Sequence, residues 1–221
     1  VTVAEGPGHR RDIEYLLVAT GLFDYLKDLR LRFVDLNHAD VRRVPLRSHY
    51  TKLEELALPV DVLQADVVVS MAKLKTHHWA GMTAGMKNLF GVVPGAVYGW
   101  PKNVLHFRGI EQAILDLNAT IQPRFTIVDA IVAMEGDGPI MGTPRPVGFV
   151  AMGQDVVAVD ATCARIMGLD PEKMNYLRVA SEYLGNLAES RIDQIAESPA
   201  RYQTRFEMLE HFRELQLAGG A

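Results

Sequence analysis

Short apolar runs alternate with helix-period segments along this 221-residue chain, and that alternation limits the fold more than any other feature. "VTVAEG" reads as a short strand and "GPGHR" as a turn. "DIEYLLVATG" reads as a helix with Ile13, Leu16 and Leu17 on one face, capped by Asp12 and stopped at Gly21. "LRFVDLN" is a second strand, and the mixed stretch from Val41 to Pro59 is predicted to be exposed. "DVVVSMA", residues 66–72, is the strongest strand signal, continuously apolar like a parallel strand buried on both faces. "VLHFRGIEQAILDLNATI" predicts a helix, with Ile110, Ile114, Leu117 and Ile121 at helical spacing. "RFTIVDAIVAM" and "VGFVAM" are strands, and "DVVAVDATCARIMG" is a helix ending at Gly168. "DPEKMNYLRVASEYLG" is a further helix, with Asp170 as its cap and Pro171 at its first position. Strands separated by helices predict an α/β fold: a mostly parallel sheet with helices on both faces, in three αβα layers. Without repeats or a linker, residues 1–198 read as a single domain. Residues 199–221 read as a C-terminal helical tail that frays at "AGGA".

Charge is distributed unevenly on this frame. The formal net charge is −4, yet no Asp or Glu lies between Asp66 and Glu111, a window holding Lys73, Lys75, Lys87, Lys102 and Arg108. The window centres on "KLKTHHWAGMTAGMKNLFG", residues 73–91. Lys73, Lys75 and His77 are spaced by two, so an extended strand projects all three from one face, with Val69 and Met71 behind them. The following run reads as a short helix beginning near Gly81 and ending at Gly91. Met82, Met86, Leu89 and Phe90 are its apolar side, and Thr83 and Lys87 share a face. Lysines, hydroxyls at Thr76 and Thr83 and a helix N-terminus would together make an anion site at the carboxyl edge of a sheet. His106, in the first turn of the next helix, could reach the same site, whereas His78 reads as structural or exposed.

The second half supplies acids. Asp129 and Glu135 have the same parity, so an extended chain would point both to one side. Asp137 is accounted for as a turn residue and Asp155 as a helix cap. Asp160 falls in mid-helix between apolar neighbours. A buried carboxylate there requires a partner, either a lysine of the cationic window or a metal.

Composition excludes several classes. Hydrophobic residues make up 48% and charged residues 23%, which suits a globular chain with a real core. The acidic balance argues against nucleic-acid binding. No apolar run is long enough to span a bilayer, so no membrane insertion is expected. One cysteine, Cys163, cannot ligate an iron–sulfur cluster within one chain, and it fits a reducing cytoplasm. No GxGxxG fingerprint points to a nicotinamide cofactor.

"KLKTH", a Thr ahead of "KN..G", "DAI..MEGDGP..G" and "D.VAVDA...RIMG.DP" occur in that order from about Ala4 to Ile195. In these blocks the chain resembles the domain-of-unknown-function family 362. The resemblance marks Lys73, Lys75, Thr76, His77, Thr83, Lys87, Asn88, Gly91, Asp129, Glu135, Gly136, Gly138, Pro139, Asp155 and Asp160 as characteristic positions, and adds Asn88 to the ligand-binding candidates. It also implies an appended ferredoxin-like segment in many members, from which this chain departs. Family members usually begin with a further strand bearing a Lys-Pro-Asn-like motif. Its absence here carries the expectation of a missing upstream segment.

The leading expectation is an enzyme acting on a small anionic ligand, carboxylate or phosphate. His77 would be its general acid or base beside Lys75. Lys73, Thr76, Thr83, Lys87, Asn88 and His106 would bind the ligand. Asp129, Glu135 and Asp160 would orient the lysines or hold a divalent metal. Redox chemistry enters only through the family association. A non-catalytic anion-binding or redox-partner module is the alternative, and a structural protein with internal lysine–acid pairing is a third. A homo-oligomer or an iron–sulfur redox partner is compatible with each.

Overall fold

The structure, a computed structural model, describes residues 1–100 and 102–217. The expected fraying of residues 218–221 lies outside the described residues. In chain order the elements are β1 (Thr2–Glu5), α1 (Ile13–Ala19), α2 (Leu22–Asp28), β2 (Arg32–Asp35), β3 (Val41–Pro45), β4 (Glu55–Pro59), α3 (Val60–Leu63), β5 (Val69–His77) and β6 (Gly81–Thr83). There follow α4 (Gly85–Asn88), α5 (Gly95–Tyr98), α6 (Asn103–Phe107), α7 (Ile110–Ile121), β7 (Phe125–Glu135), β8 (Thr143–Gly153), α8 (Val156–Ile166) and α9 (Asn175–Ala180). The fold is α/β. Parallel pairing joins β1 to β2 and β5 to β7, and a four-stranded sheet runs β6-β5-β7-β8 with antiparallel outer pairs.

Local chemistry sets the element ends. The Asp12 carboxylate accepts the Tyr15 N–H at 2.8 Å and caps α1, and Gly21 takes φ 73° at its end. The single helix predicted over 104–121 is two, α6 and α7, because Gly109 at φ 102° breaks the ladder. The helix predicted from Asp170 also splits. The Asp170 carboxylate caps a 3₁₀ turn over Pro171–Lys173, and α9 starts afresh at Asn175. The stretch from Val41 to Pro59, expected to be mixed and exposed, is the β3–β4 hairpin, with Leu56, Ala57 and Leu58 buried.

The core lies on one face of the four-stranded sheet. Ala72 and Leu74 of β5, Val128 and Ala130 of β7, and Phe149 of β8 are buried beneath α8 and α4. Asp116 of α7 is also buried. It accepts hydrogen bonds from Ser48 Oγ, Tyr50 N, Thr51 N and Thr51 Oγ1 at 2.6–3.0 Å, tying the loop before β4 to the core. The other face of the sheet differs from the reading of β5 as doubly buried. Val69, Met71, Val150 and Met152 are exposed there. Burial along β5 alternates strictly from Val69 to Leu74, the pattern of a strand covered on one side. The tail from Pro199 forms 3₁₀ turns at Pro199–Arg201 and Glu210–Leu215 in place of an α-helix, and it packs Phe206 fully into the core.

Candidate anion site

The site grows from the end of β5. Lys73, Lys75 and His77 share the outward parity that their spacing predicts, and burial deepens along them from exposed to half-buried to buried. Lys75 faces Thr83 across the β5–β6 hairpin, so the ammonium stem and the hydroxyl are cross-strand neighbours. Thr83 Oγ1 is buried and has no hydrogen-bond partner.

Gly81–Thr83 is a strand, so Thr83 and Lys87 do not share a helix face as the sequence suggested. Thr83 lies opposite Lys75 on the sheet edge, and Lys87 follows on α4. Asn88 donates to Ser70 Oγ and to the Met71 carbonyl at 3.1 and 3.0 Å, laying the 85–91 segment along the part of β5 that β6 leaves unpaired. Asn88 therefore holds the backbone that presents Lys87. The helix N-terminus expected to receive a ligand is already filled. Asp160 accepts the Gly85 and Met86 N–H groups at 2.7 and 3.0 Å, so that terminus is occupied by the protein's own carboxyl, which burial pushes up to about 7 against those two hydrogen bonds.

Lys87 is half-buried, with its Nζ 4.2 Å from the centre of the Phe90 ring. Lys102, in the cationic window but not among the expected ligand-binding residues, is buried and donates to the Phe90 and Gly91 carbonyls at 2.9 and 3.1 Å. Among the described residues, no carboxylate lies within ion-pair distance of Lys75, Lys87 or Lys102. Burial, then the charges of Lys102 and Lys75, pull Lys87 down to about 7. Burial also pulls Lys102 down to about 8, partly offset by Glu5 and Asp35. Lys75 is lowered by burial, against Glu5. Glu5 and Asp35 end the parallel strands β1 and β2, and β1 is set close by a glycine contact. A Cβ on Gly6 would stand 2.1 Å from the Gly91 carbonyl oxygen. Neither acid was singled out in the sequence, where both precede the cationic window.

His77 has a defined tautomer. Its Nδ1 accepts the backbone N–H groups of Trp79 and Ala80 at 3.1 and 3.2 Å, so the ring proton resides on Nε2. Burial, with Lys87, His78 and Lys75 nearby, lowers its pKa to about 2. The ring is neutral at physiological pH and offers an N–H donor. Its free-ring pKa near 6.5, the basis for expecting a general acid or base, does not apply here. His106 lies beside the site, 5.1 Å from Phe90 between ring centres, and is also lowered by burial. Thr76 Oγ1 is committed to the Gly136 carbonyl at 2.8 Å. With His78 N on the Gly138 carbonyl, and no room for a Cβ at Gly138 against Thr76, it fastens the "EGDGP" loop to the end of β5.

The three acids do not converge. Asp129 pairs with Lys73 at 2.5 Å and accepts the Ile131 N–H at 2.9 Å. Glu135 pairs with Arg145 at 3.2 Å and accepts the Glu207 N–H at 2.9 Å. Their shared parity is cancelled by a bulge, since Lys73 pairs with Asp129 but Lys75 with Met134. Asp129 alone orients a lysine, and that lysine is Lys73. Among the described residues no group of three or more His, Cys, Asp or Glu is placed to hold a metal. These acids therefore do not form the divalent site that the sequence left open. Cys163 is buried, and burial raises its thiol.

Among the described residues, no helix is long and apolar enough to cross a membrane. No solved structure matches the chain. Over 160 residues it is 34% identical to the Thylakoid-associated protein sll1697 of Synechocystis sp., covering 70% of this chain. The chain spans about half the length of that relative, 49%. The family described as Domain of unknown function (DUF362) matches residues 1–165, which include all of β5, β6 and α4, and the chain belongs to this family.

Proposed function

We propose that Lys75 and Lys87, with Thr83 and the Nε2–H of His77, bind a small carboxylate or phosphate, and that the site belongs to an enzyme acting on that anion. The observation that carries this reading is the set of clustered lysines held at the end of β5 with no carboxylate in ion-pair range, beside a buried Thr83 hydroxyl without a partner. Leaving ammonium groups partly desolvated and uncompensated is costly, and a bound anion would offset that cost. Lys73, already held by Asp129, rims the site, and Lys102 adds positive charge at neutral pH. Asn88 and Thr76 shape the site through backbone contacts, and His106 borders it. A neutral His77 would polarise a ligand oxygen as a donor rather than shuttle a proton. A cytoplasmic location is part of the proposal. The relative's name raises thylakoid association as its counterpart.

A thermal-shift panel of phosphate, pyrophosphate, nucleotides and small carboxylates tests the reading. Stabilisation by at least one anion, lost in Lys75→Ala and Lys87→Ala proteins that still fold, supports it. No stabilisation by any anion, with both variants unfolded, would instead favour lysines that serve the fold.

A second reading, a non-catalytic module that docks a redox partner or a second copy, draws on one observation: the exposed outer face of the sheet at Val69, Met71, Val150 and Met152. Turnover of an anion that binds would favour the enzyme. Binding without turnover, and a native mass above that of one chain, would favour the module.

A further inference from the structure

Aromatic rings follow one another from Lys87 to an exposed indole. The Lys87 ammonium lies 4.2 Å from the centre of Phe90. Phe90 is 5.1 Å from His106, and His106 is 5.0 Å from Trp79. Trp79 is 4.8 Å from His78, which is 5.1 Å from His77 on the strand that carries Lys75. The rings therefore form a continuous chain from Phe90 beside Lys87 to His77 on the strand of Lys75. Its outermost member, Trp79, sits in the tight turn between β5 and β6 and is 56% exposed. Core packing accounts for Phe90, which is buried, but not for an indole left largely in water. His77 and His106 both have depressed pKa values, so these rings present neutral faces and edges. A bare inorganic anion would use the lysines and leave these rings idle.

We propose that the ligand is an anion carrying a flat aromatic ring, a nucleotide or an aromatic carboxylate, with its charged group on Lys75 and Lys87 and its ring against Trp79. This rests on the anion reading above and narrows it. The charged group would take the donors of the site. The ring would cover the exposed indole in the sequence-tolerant way that aromatic side chains receive bases.

Matched pairs of probes test the proposal by calorimetric titration: ribose 5-phosphate against adenosine 5′-monophosphate, and cyclohexanecarboxylate against benzoate. In each pair the charge is kept; the first adds a flat ring, and the second replaces a puckered ring by a flat one. The wild-type protein should favour the ring-bearing member of at least one pair by about tenfold to a hundredfold. Trp79→Ala should cut that preference to roughly threefold or less, by loss of affinity for the ring-bearing member. Trp79→Leu, which keeps apolar bulk without a flat face, should behave like Trp79→Ala. If ribose 5-phosphate binds with no preference in either pair, or Trp79→Leu keeps the preference, the ring proposal is overturned and the anion reading stands. If none of the four probes binds while inorganic phosphate does, the ring proposal fails and the anion reading stands; if phosphate does not bind either, both fail.

Discussion

Lys87 should make anion binding depend on pH in one direction, over a range set by its surroundings. In the free protein burial and the neighbouring ammonium groups hold it at about 7. An anion is bound by the ammonium and not by the amine, so binding above that pH requires uptake of a proton. Sulfate is the suitable probe, because its own charge is constant across the range. Below about pH 6 Lys87 is already charged and the Kd should be flat. Two units above its pKa only about one lysine in a hundred is charged, so affinity should fall roughly a hundredfold, about 2.7 kcal/mol. Titration calorimetry at constant ionic strength, in buffers of different ionisation enthalpy, reads both the Kd and the protons taken up. The log Kd should reach a slope of at least about one per pH unit at the alkaline end, with about one proton taken up by Lys87 per sulfate bound and a further contribution from Lys102, itself held at about 8. A Kd that stays flat from about pH 6 to about pH 9, with no proton uptake, would refute the placement of Lys87 in the anion site.

Replacing Lys87 should separate function from stability. Lys87→Met removes a partly buried, uncompensated charge and should raise stability by roughly 1–4 kcal/mol at about pH 6, read by urea unfolding. That margin should shrink as pH rises through about 7, because folded wild type then sheds a proton that the unfolded chain keeps up to the ordinary lysine range. Asp160→Asn sets an amide NH₂ against one of the two backbone N–H groups that the carboxylate accepts, and should cost about 2–4 kcal/mol. Because those groups open α4, the variant should also weaken sulfate binding at Lys87, and the same titration measures it.

Much of the site was legible because strand periodicity is a strict code. The two-residue spacing placed Lys73, Lys75 and His77 on one face of β5, and the missing acids marked the window as cationic. The helix caps at Asp12, Asp155 and Asp170 were equally legible, since each is a local contact between a carboxylate and the N–H groups just after it. What was not legible depends on distant partners. The carboxylate of Asp160 meets Gly85 and Met86 across more than seventy residues, and periodicity says nothing about which helix end it fills. The bulge in β7 cancels the parity argument for Asp129 and Glu135, and a bulge leaves no apolar signature of its own. Lys102 and Glu5 join the site only because β1, the 85–91 segment and α6 pack together. The apolar run in β5 misled for a different reason. Valines satisfy both a doubly buried and a half-open strand, and only the packing of helices onto the sheet decides between them.

The most direct test of the central claim is a crystal structure grown in sulfate near neutral pH. A sulfate is expected within hydrogen-bond distance of Lys75 Nζ and Lys87 Nζ, with Thr83 Oγ1 and His77 Nε2 facing it. Lys75 and Lys87 turned instead onto carboxylates of the protein such as Glu5, with ordered sulfate elsewhere and none between them, would contradict it.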